Sequence, residues 1–576
     1  MKKKNVTIGV ILTFCVVICL NIVYFYNINK NIDTSEVNSE SEETEEIEYE
    51  YITVDGIEGG QVQFDAETGT IILAEETVTV ANIPSEIDGV EVTTIGEAAF
   101  NVCASLTEVT IPSSVTCIED WAFYECTAIT YIEIPDTVTD MGDGIFYNCT
   151  ALTTAVLPNT ITTIPTGTFY CCESLTQIEI PSSVTGIIDS AFYGCSSLTN
   201  IEIPDSVTYI EGAAFYNCYS LVSIEIPNSV TSLGEAVFYQ CFALSDVTLS
   251  TSLSEIPSGA FYGCVALTEL EIPENITSIG DAVFYDCISL VSIDIPNSVT
   301  QIGDTLFSEC VSLSSVTLPE NLTSIPYGTF YGCTSLTDLP LTDNITSISE
   351  YAFGSCTGLT DVVIPINITE IGPYSFGDCI NITSISFSEG LITIDEGALY
   401  GCTSLTSVVI PDSVTSLASA ALYGCTSLSY VEIGTGITAL SSYVFSECTS
   451  LYTLEVPSNI TSIEEGAFYA CTGLTSIIVP ETVTTIGTAA FYECDGLLEL
   501  TINSNITEIP DYLCYECNNL ITINIGSDVE SILSYAFSVC ENLIYINYAG
   551  SESDWAEITI DETNDSLDNA EISYNS

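Results

Sequence analysis

Residues 402–424 read CTSLTSVVIPDSVTSLASAALYG and residues 218–240 read CYSLVSIEIPNSVTSLGEAVFYQ, with apolar side chains at matching places. Three residues after the cysteine comes Leu, or Ile at Ile129 and Ile382. Three before it comes Phe in most copies (Phe100, Phe123, Phe146, Phe192), with Leu399, Leu422 and Cys514 as substitutes. From that leucine, LTEVTI at 106–111 and LVSIEI at 221–226 alternate apolar and polar, which predicts a short strand whose intervening side chains face solvent. Pro follows in many copies (Pro112, Pro135, Pro158, Pro181) and, lacking an N–H, ends the strand. A second apolar stretch, Val230 to Leu233 and Ile460 to Ile463, predicts an opposite wall, and a Gly-x-x-A-F segment, as in Gly96 to Phe100, closes the coil.

The order returns every 23 residues, marked by twenty cysteines from Cys103 through Cys126, Cys149 and Cys172 to Cys540 without insertion or deletion. One such unit leaves most of its apolar side bare, so it buries Leu, Val and Phe only by stacking on its neighbours. The unbroken period predicts one β-rich solenoid over 100–545. Each copy contributes a strand to the concave face, and short turns or helical segments close each coil. With strands about 4.8 Å apart the rod is on the order of 100 Å long.

The flanks differ in composition. Residues 1–30 join Lys2, Lys3 and Lys4 to an uncharged apolar run from Asn5 to Asn29, long enough to span a bilayer. They read as a signal-anchor, with a cleaved signal peptide as the other reading. Residues 31–50, NIDTSEVNSESEETEEIEYE, are acidic and poor in core formers, a disordered stalk. Residues 51–99 carry strand-like alternation and an irregular leading repeat, an N-terminal cap. Residues 546–576 lose the period but keep Trp555, a C-terminal cap.

These copies resemble the BspA-like class of leucine-rich repeats, similar to F-x-G-C-T-S-L-T-S-I-x-I-P-x-S-V-T-S-I-G. FYGCSSL at 192–198, FYGCTSL at 330–336 and the tail YAGSESDWAEITI at 548–560 carry the resemblance. It covers about residues 83 to 576. It implies a surface or secreted protein, adhesin-like, that binds host matrix proteins, other cells or glycans. It carries over no catalytic motif. In such repeats the cysteine is a small buried residue whose weak S–H donor meets the backbone. Disulfides between adjacent coils also fit the strand spacing, and the C-x-x-C at Cys514 and Cys517 stands alone as a zinc motif.

Charge narrows the function. All four basic residues lie in the first 30, and the rest holds 79 acids and no histidine. Nucleic-acid binding, Ser-His and Cys-His pairs, lysine Schiff bases and histidine metal sites are therefore not expected. The exported part also offers trypsin no cleavage point. A paired-carboxylate glycosidase is formally open, though no loop insertion builds a cleft.

Two rows are candidate contact surfaces. The last outward strand place is acidic at Glu133, Glu179, Glu202, Glu225, Glu271, Asp294, Glu432 and Glu455. Carboxylates stacked this closely repel one another. Glu179, Glu202 and Glu225, on three successive strands, suit a basic protein surface, calcium or solvent alone. Tyr follows the repeat Phe in an unbroken series from Tyr124 to Tyr285, a structural ring ladder or a glycan or peptide surface. Tyr131, Tyr430 and Tyr545, on outward strand places, are the stronger contact candidates. Asn-x-Ser/Thr sequences recur at Asn275, Asn321, Asn344, Asn367, Asn459 and Asn505, where a eukaryotic secretory route would place glycans. The reading is a surface or secreted interaction scaffold. A ligand-free structural spacer is the alternative, and a carboxylate-based glycan-active enzyme is a further one.

Overall fold

A computed structural model describes residues 49–575. The signal-anchor and most of the acidic stalk lie outside the described residues. The array is a three-sided solenoid whose coils advance in constant register.

The first side carries strands such as Glu108–Thr110, Tyr131–Glu133 and Thr154–Val156. Tyr131–Glu133 and Thr154–Val156 pair in parallel one period apart, Tyr131 with Thr154 and Glu133 with Val156, while Glu108–Thr110 pairs in parallel with Val80–Asn82 before it. The middle residue points inward and its neighbours outward, as at exposed Tyr131, buried Ile132 and exposed Glu133, which is the period-two alternation of a pleated strand. The second side carries two-residue strands, Cys117–Ile118 pairing with Asp140–Met141.

The third side is made of turns. Among the described residues no helix interrupts 100–545, so the helical alternative for closing the coil does not occur there; the α-helix Glu552–Trp555 comes later. The N–H groups of Trp121, Phe123 and Glu125 donate to the carbonyls of Asp143, Ile145 and Tyr147 in the next coil, at 2.8, 3.0 and 2.8 Å. Trp121 and Glu125 bend back with φ of 53° and 56°. The same two places are left-handed in other coils, as Ala213 with Asn217 and Tyr374 with Asp378. A left-handed residue other than Gly costs roughly 1–2 kcal/mol, and the ladder it permits offsets that. The Gly that opens the turn segment in several coils, as in Gly96 and Gly280, plays another part. A Cβ on Gly280 would lie 2.5 Å from the Ser258 nitrogen of the preceding coil, so glycine there allows close backbone approach.

Phenylalanines stack along the axis: Phe192 and Phe215 lie 5.4 Å apart with rings 2° from parallel, and both are fully buried. Each such ring contributes about 1.5–3 kcal/mol of burial. Beside them runs the cysteine row. Cys218 Sγ donates to the Phe192 carbonyl at 3.3 Å and Cys195 to that of Phe169 at 3.2 Å. The described cysteines are free thiols, and the repeat thiols from Cys103 to Cys540 donate to backbone carbonyls.

At the N-terminal end Val62–Asp65 runs antiparallel to Thr70–Ala74, which pairs in parallel with Thr94–Ile95. Ala74 N–H there donates to the Ala99 carbonyl at 2.6 Å. At the other end the last coil's N–H groups meet side-chain oxygens: Tyr535 to Thr563 Oγ1 at 2.7 Å, Phe537 to Asn564 Oδ1 at 2.9 Å and Cys540 to Ser566 Oγ at 3.0 Å. Trp555 packs edge-on against buried Tyr548, centroids 5.3 Å apart.

Candidate functional site

The outward face of the strand side is a surface on which side chains vary from coil to coil. Glu133, Glu179, Glu202, Glu225, Glu271, Asp294, Glu432 and Glu455 all stand exposed on it, as do Tyr131, Tyr430 and Tyr545. Residues two apart on a strand share a side, and this couples the two candidate rows. Tyr131 Oη donates to Glu133 at 3.1 Å, and Tyr430 Oη to Glu432 at 3.1 Å. The carboxylate holds the phenol proton and raises both tyrosines above their ordinary range. Asp294 is also engaged, accepting from Thr317 Oγ1 at 2.6 Å. Glu179, Glu202 and Glu225 follow one another a coil apart. Among the described residues no three or more Asp, Glu, Cys or His side chains converge as a metal site would need.

The tyrosine edge is built differently. From Tyr147 to Tyr285 successive rings lie 4.2–4.6 Å apart and nearly parallel, and Tyr124 joins at 5.2 Å. Each ring face is covered by its neighbours, so sugar stacking finds no open face inside the series, only ring edges. Burial pushes Tyr124 and Tyr285 up to about 12. Further along, small residues interrupt the row at Ser308, Gly354, Gly377, Ser446 and Ser538, and in the last four of those coils a tyrosine stands three residues earlier: Tyr351, Tyr374, Tyr443 and Tyr535. These occupy the first left-handed place. Tyr351 stacks on Tyr374, and Tyr512 on Tyr535, at 5.3 and 5.0 Å. Tyr374 and Tyr443 donate to Glu396 and Glu465 at 3.0 and 2.6 Å. In these four coils the ring has moved within the coil, whereas at Ser308 the displaced place holds Thr305 and the aromatic row is broken.

The Asn-x-Ser/Thr asparagines are spent on the fold. Asn321 Nδ2 donates to the Asn297 carbonyl at 3.2 Å, and Asn344 and Asn505 reach the carbonyls of Glu320 and Glu481 at 2.5 Å. Asn275, Asn367 and Asn459 make the same kind of bond to Thr251, Ile345 and Ile437.

Reading by residue type passed over one group. Thr and Ser usually occupy the place just before the strand, where the hydroxyl donates to the preceding coil, as Thr406 to Thr383 at 3.3 Å. Val222, Val291, Tyr452, Leu498, Ile521 and Ile544 replace them and are 47%, 48%, 58%, 45%, 37% and 49% exposed. The signal was available as departure from the period.

A family model described as "BspA type Leucine rich repeat region (6 copies)" matches residues 81–198, 162–287, 254–383, 369–496 and 461–564. The chain is similar to a leucine-rich repeat protein from Bacteroides ovatus, 25% identical with a TM-score of 0.41, over 79% of this chain and 95% of that one. It is similar to a leucine rich cell surface protein from Faecalibacterium prausnitzii, 29% identical with a TM-score of 0.37, over 51% and 91%. A leucine-rich repeat protein from T. pallidum is 34% identical with a TM-score of 0.27, over 28% and 78%. No curated protein matches the chain.

Proposed function

The chain belongs to the BspA-type leucine-rich-repeat family of repeat-built surface and interaction proteins, and we propose that it is an adhesin-like member which binds an extracellular protein or glycan along its strand face. One observation carries this reading: inward places keep their residue type through the array while outward strand places do not. Glu202, Glu225, Thr248, Glu271 and Asp294 are followed by Val363 and Ile478 at the same place. Packing fixes the inward residues, so outward variation is free to be shaped by a ligand. Equivalent coils also allow several weak contacts to act together. The N-terminal apolar run, with lysines at its start, is the membrane attachment in this reading.

Binding of the full chain to immobilised matrix proteins, mucins and glycans, with calcium and with chelator, tests the proposal. Saturable binding to one of them is the expected result. Loss on chelation would show that calcium takes part, and only disappearance of that dependence in E179Q/E202Q/E225Q would bring that acidic row into the binding. Failure to bind any of them would leave a structural spacer.

A further inference from the structure

We propose that the C-terminal end of the strand face is a docking site for a cationic, amphipathic protein segment. This deepens the interaction reading above and rests on it.

Leu498, Ile521 and Ile544 stand on three successive coils. Ile521 N–H donates to the Leu498 carbonyl at 2.9 Å and Ile544 N–H to that of Ile521 at 3.0 Å. Their side chains therefore form one row at the strand spacing of about 4.8 Å. In most coils this place holds Thr or Ser, whose hydroxyl in many of them bonds to the preceding coil, as in Thr383 and Thr406. Here that bond is given up, and aliphatic surface faces water on three neighbouring coils. Tyr545, next to Ile544 and 46% exposed, extends the patch.

Acids bracket it. In the adjoining row Glu499 pairs with Thr522, Thr522 with Tyr545 and Tyr545 with Glu571, so two exposed carboxylates stand three coil steps apart, about 14 Å. Residues 49–575 contain no Lys, Arg or His, so nothing within the array neutralises them.

This combination selects the occupant. A second copy's array would bring acid against acid, which costs affinity. A glycan wants several open aromatic faces, and beside Leu498, Ile521 and Ile544 the patch offers Tyr545 alone. An acidic or neutral segment would desolvate the Glu499 and Glu571 charges without a cation to meet them, since what donates to Glu499 is the neutral Asn524 amide, at 2.7 Å. A segment with aliphatic side chains between basic groups spaced about 14 Å apart satisfies the row and both acids together.

The test measures affinity of the full chain for a labelled synthetic peptide alternating Leu and Lys, against its Leu/Glu counterpart, over a range of salt. The variant L498T/I521T/I544T restores the residue other coils carry and so retains the fold. V222T/V291T makes the same change at exposed places elsewhere in the array. The triple variant is expected to weaken the Leu/Lys peptide at least tenfold, as roughly 1.4 kcal/mol of lost apolar contact requires, and V222T/V291T less than about twofold. E499Q/E571Q is expected to weaken binding and flatten its salt dependence, and the Leu/Glu peptide to stay unbound. Equal binding by wild type and the triple variant would overturn the proposal, because the peptide would then sit on the acidic surface at large. Absence of Leu/Lys binding would overturn it too. In either case a saturable ligand among matrix proteins, mucins or glycans keeps the interaction reading standing, and the lack of one removes both.

Discussion

Phe192, Cys195 and Leu198 recur one coil later as Phe215, Cys218 and Leu221, all fully buried. On the strand face the corresponding step, from Glu225 to Thr248, changes a charged residue to a neutral one. An interior residue must fit between near-identical copies of itself, above and below, so substitution at one level strains two interfaces. An outward residue meets only lateral neighbours and water. The interior therefore holds the array together, and the outer face can differ at every level without disturbing it.

Alkaline pH should break the interior most completely. Burial holds the thiols of Cys379, Cys425 and Cys471 up at about 12, against 9.0 for a free thiol, and Tyr124 and Tyr285 at about 12 against 10.0. Groups whose folded pKa is raised contribute stability that is fully present below pH 9 and is lost as pH climbs to 12. Circular dichroism should show cooperative loss of structure in that window. At the acid end burial raises Asp189, Asp286, Asp304 and Glu309, which penalises the fold at neutrality. Acidification from pH 7 toward their ordinary range should therefore raise the denaturation midpoint, and a fall would contradict this assignment.

Next in size is Phe215→Ala, which opens the ring stack between Phe192 and Phe238 and should cost about 3–5 kcal/mol in a urea melt. Cleavage by a glutamate-specific protease should then appear first near that coil. Cys218→Ala removes one S–H donor and little volume, and should cost about 1 kcal/mol. Tyr216→Ala, at the half-buried edge, should lose roughly 0.5–1.5 kcal/mol of stacking beyond its buried area. Glu225→Gln should move stability by no more than about 0.5 kcal/mol in either direction. A strand-face charge change as costly as Phe215→Ala would erase the distinction between the two surfaces.

The period, the two β walls and the Phe and Cys rows were legible because each rests on a side chain buried at a fixed interval. The third side was harder to read. Its two left-handed places hold Trp121, Tyr374, Glu125 and Asp378 as readily as Gly, so side-chain identity does not mark the backbone that glycine usually signals. Closure of the last coil by Thr563, Asn564 and Ser566 was equally hidden, since those contacts fall outside the period. Among the candidate contact residues, the exposure of Tyr131 and Glu133 followed from strand alternation. Their hydrogen bond required the two rows to be considered together, and the aliphatic row at Leu498 emerges only when each coil is compared with the others at one place.

The turn side has a consequence for how such proteins change over generations. Its donors to other coils, such as Trp121, Phe123 and Glu125, point to the following coil, so any coil can succeed any other. Recombination that adds or removes a whole 23-residue unit leaves every donor with an acceptor and every ring with two neighbours. A shift by any other number breaks both. Reach is therefore inherited in fixed steps of about 4.8 Å, and a lineage can lengthen or shorten the rod without altering the rule by which it folds.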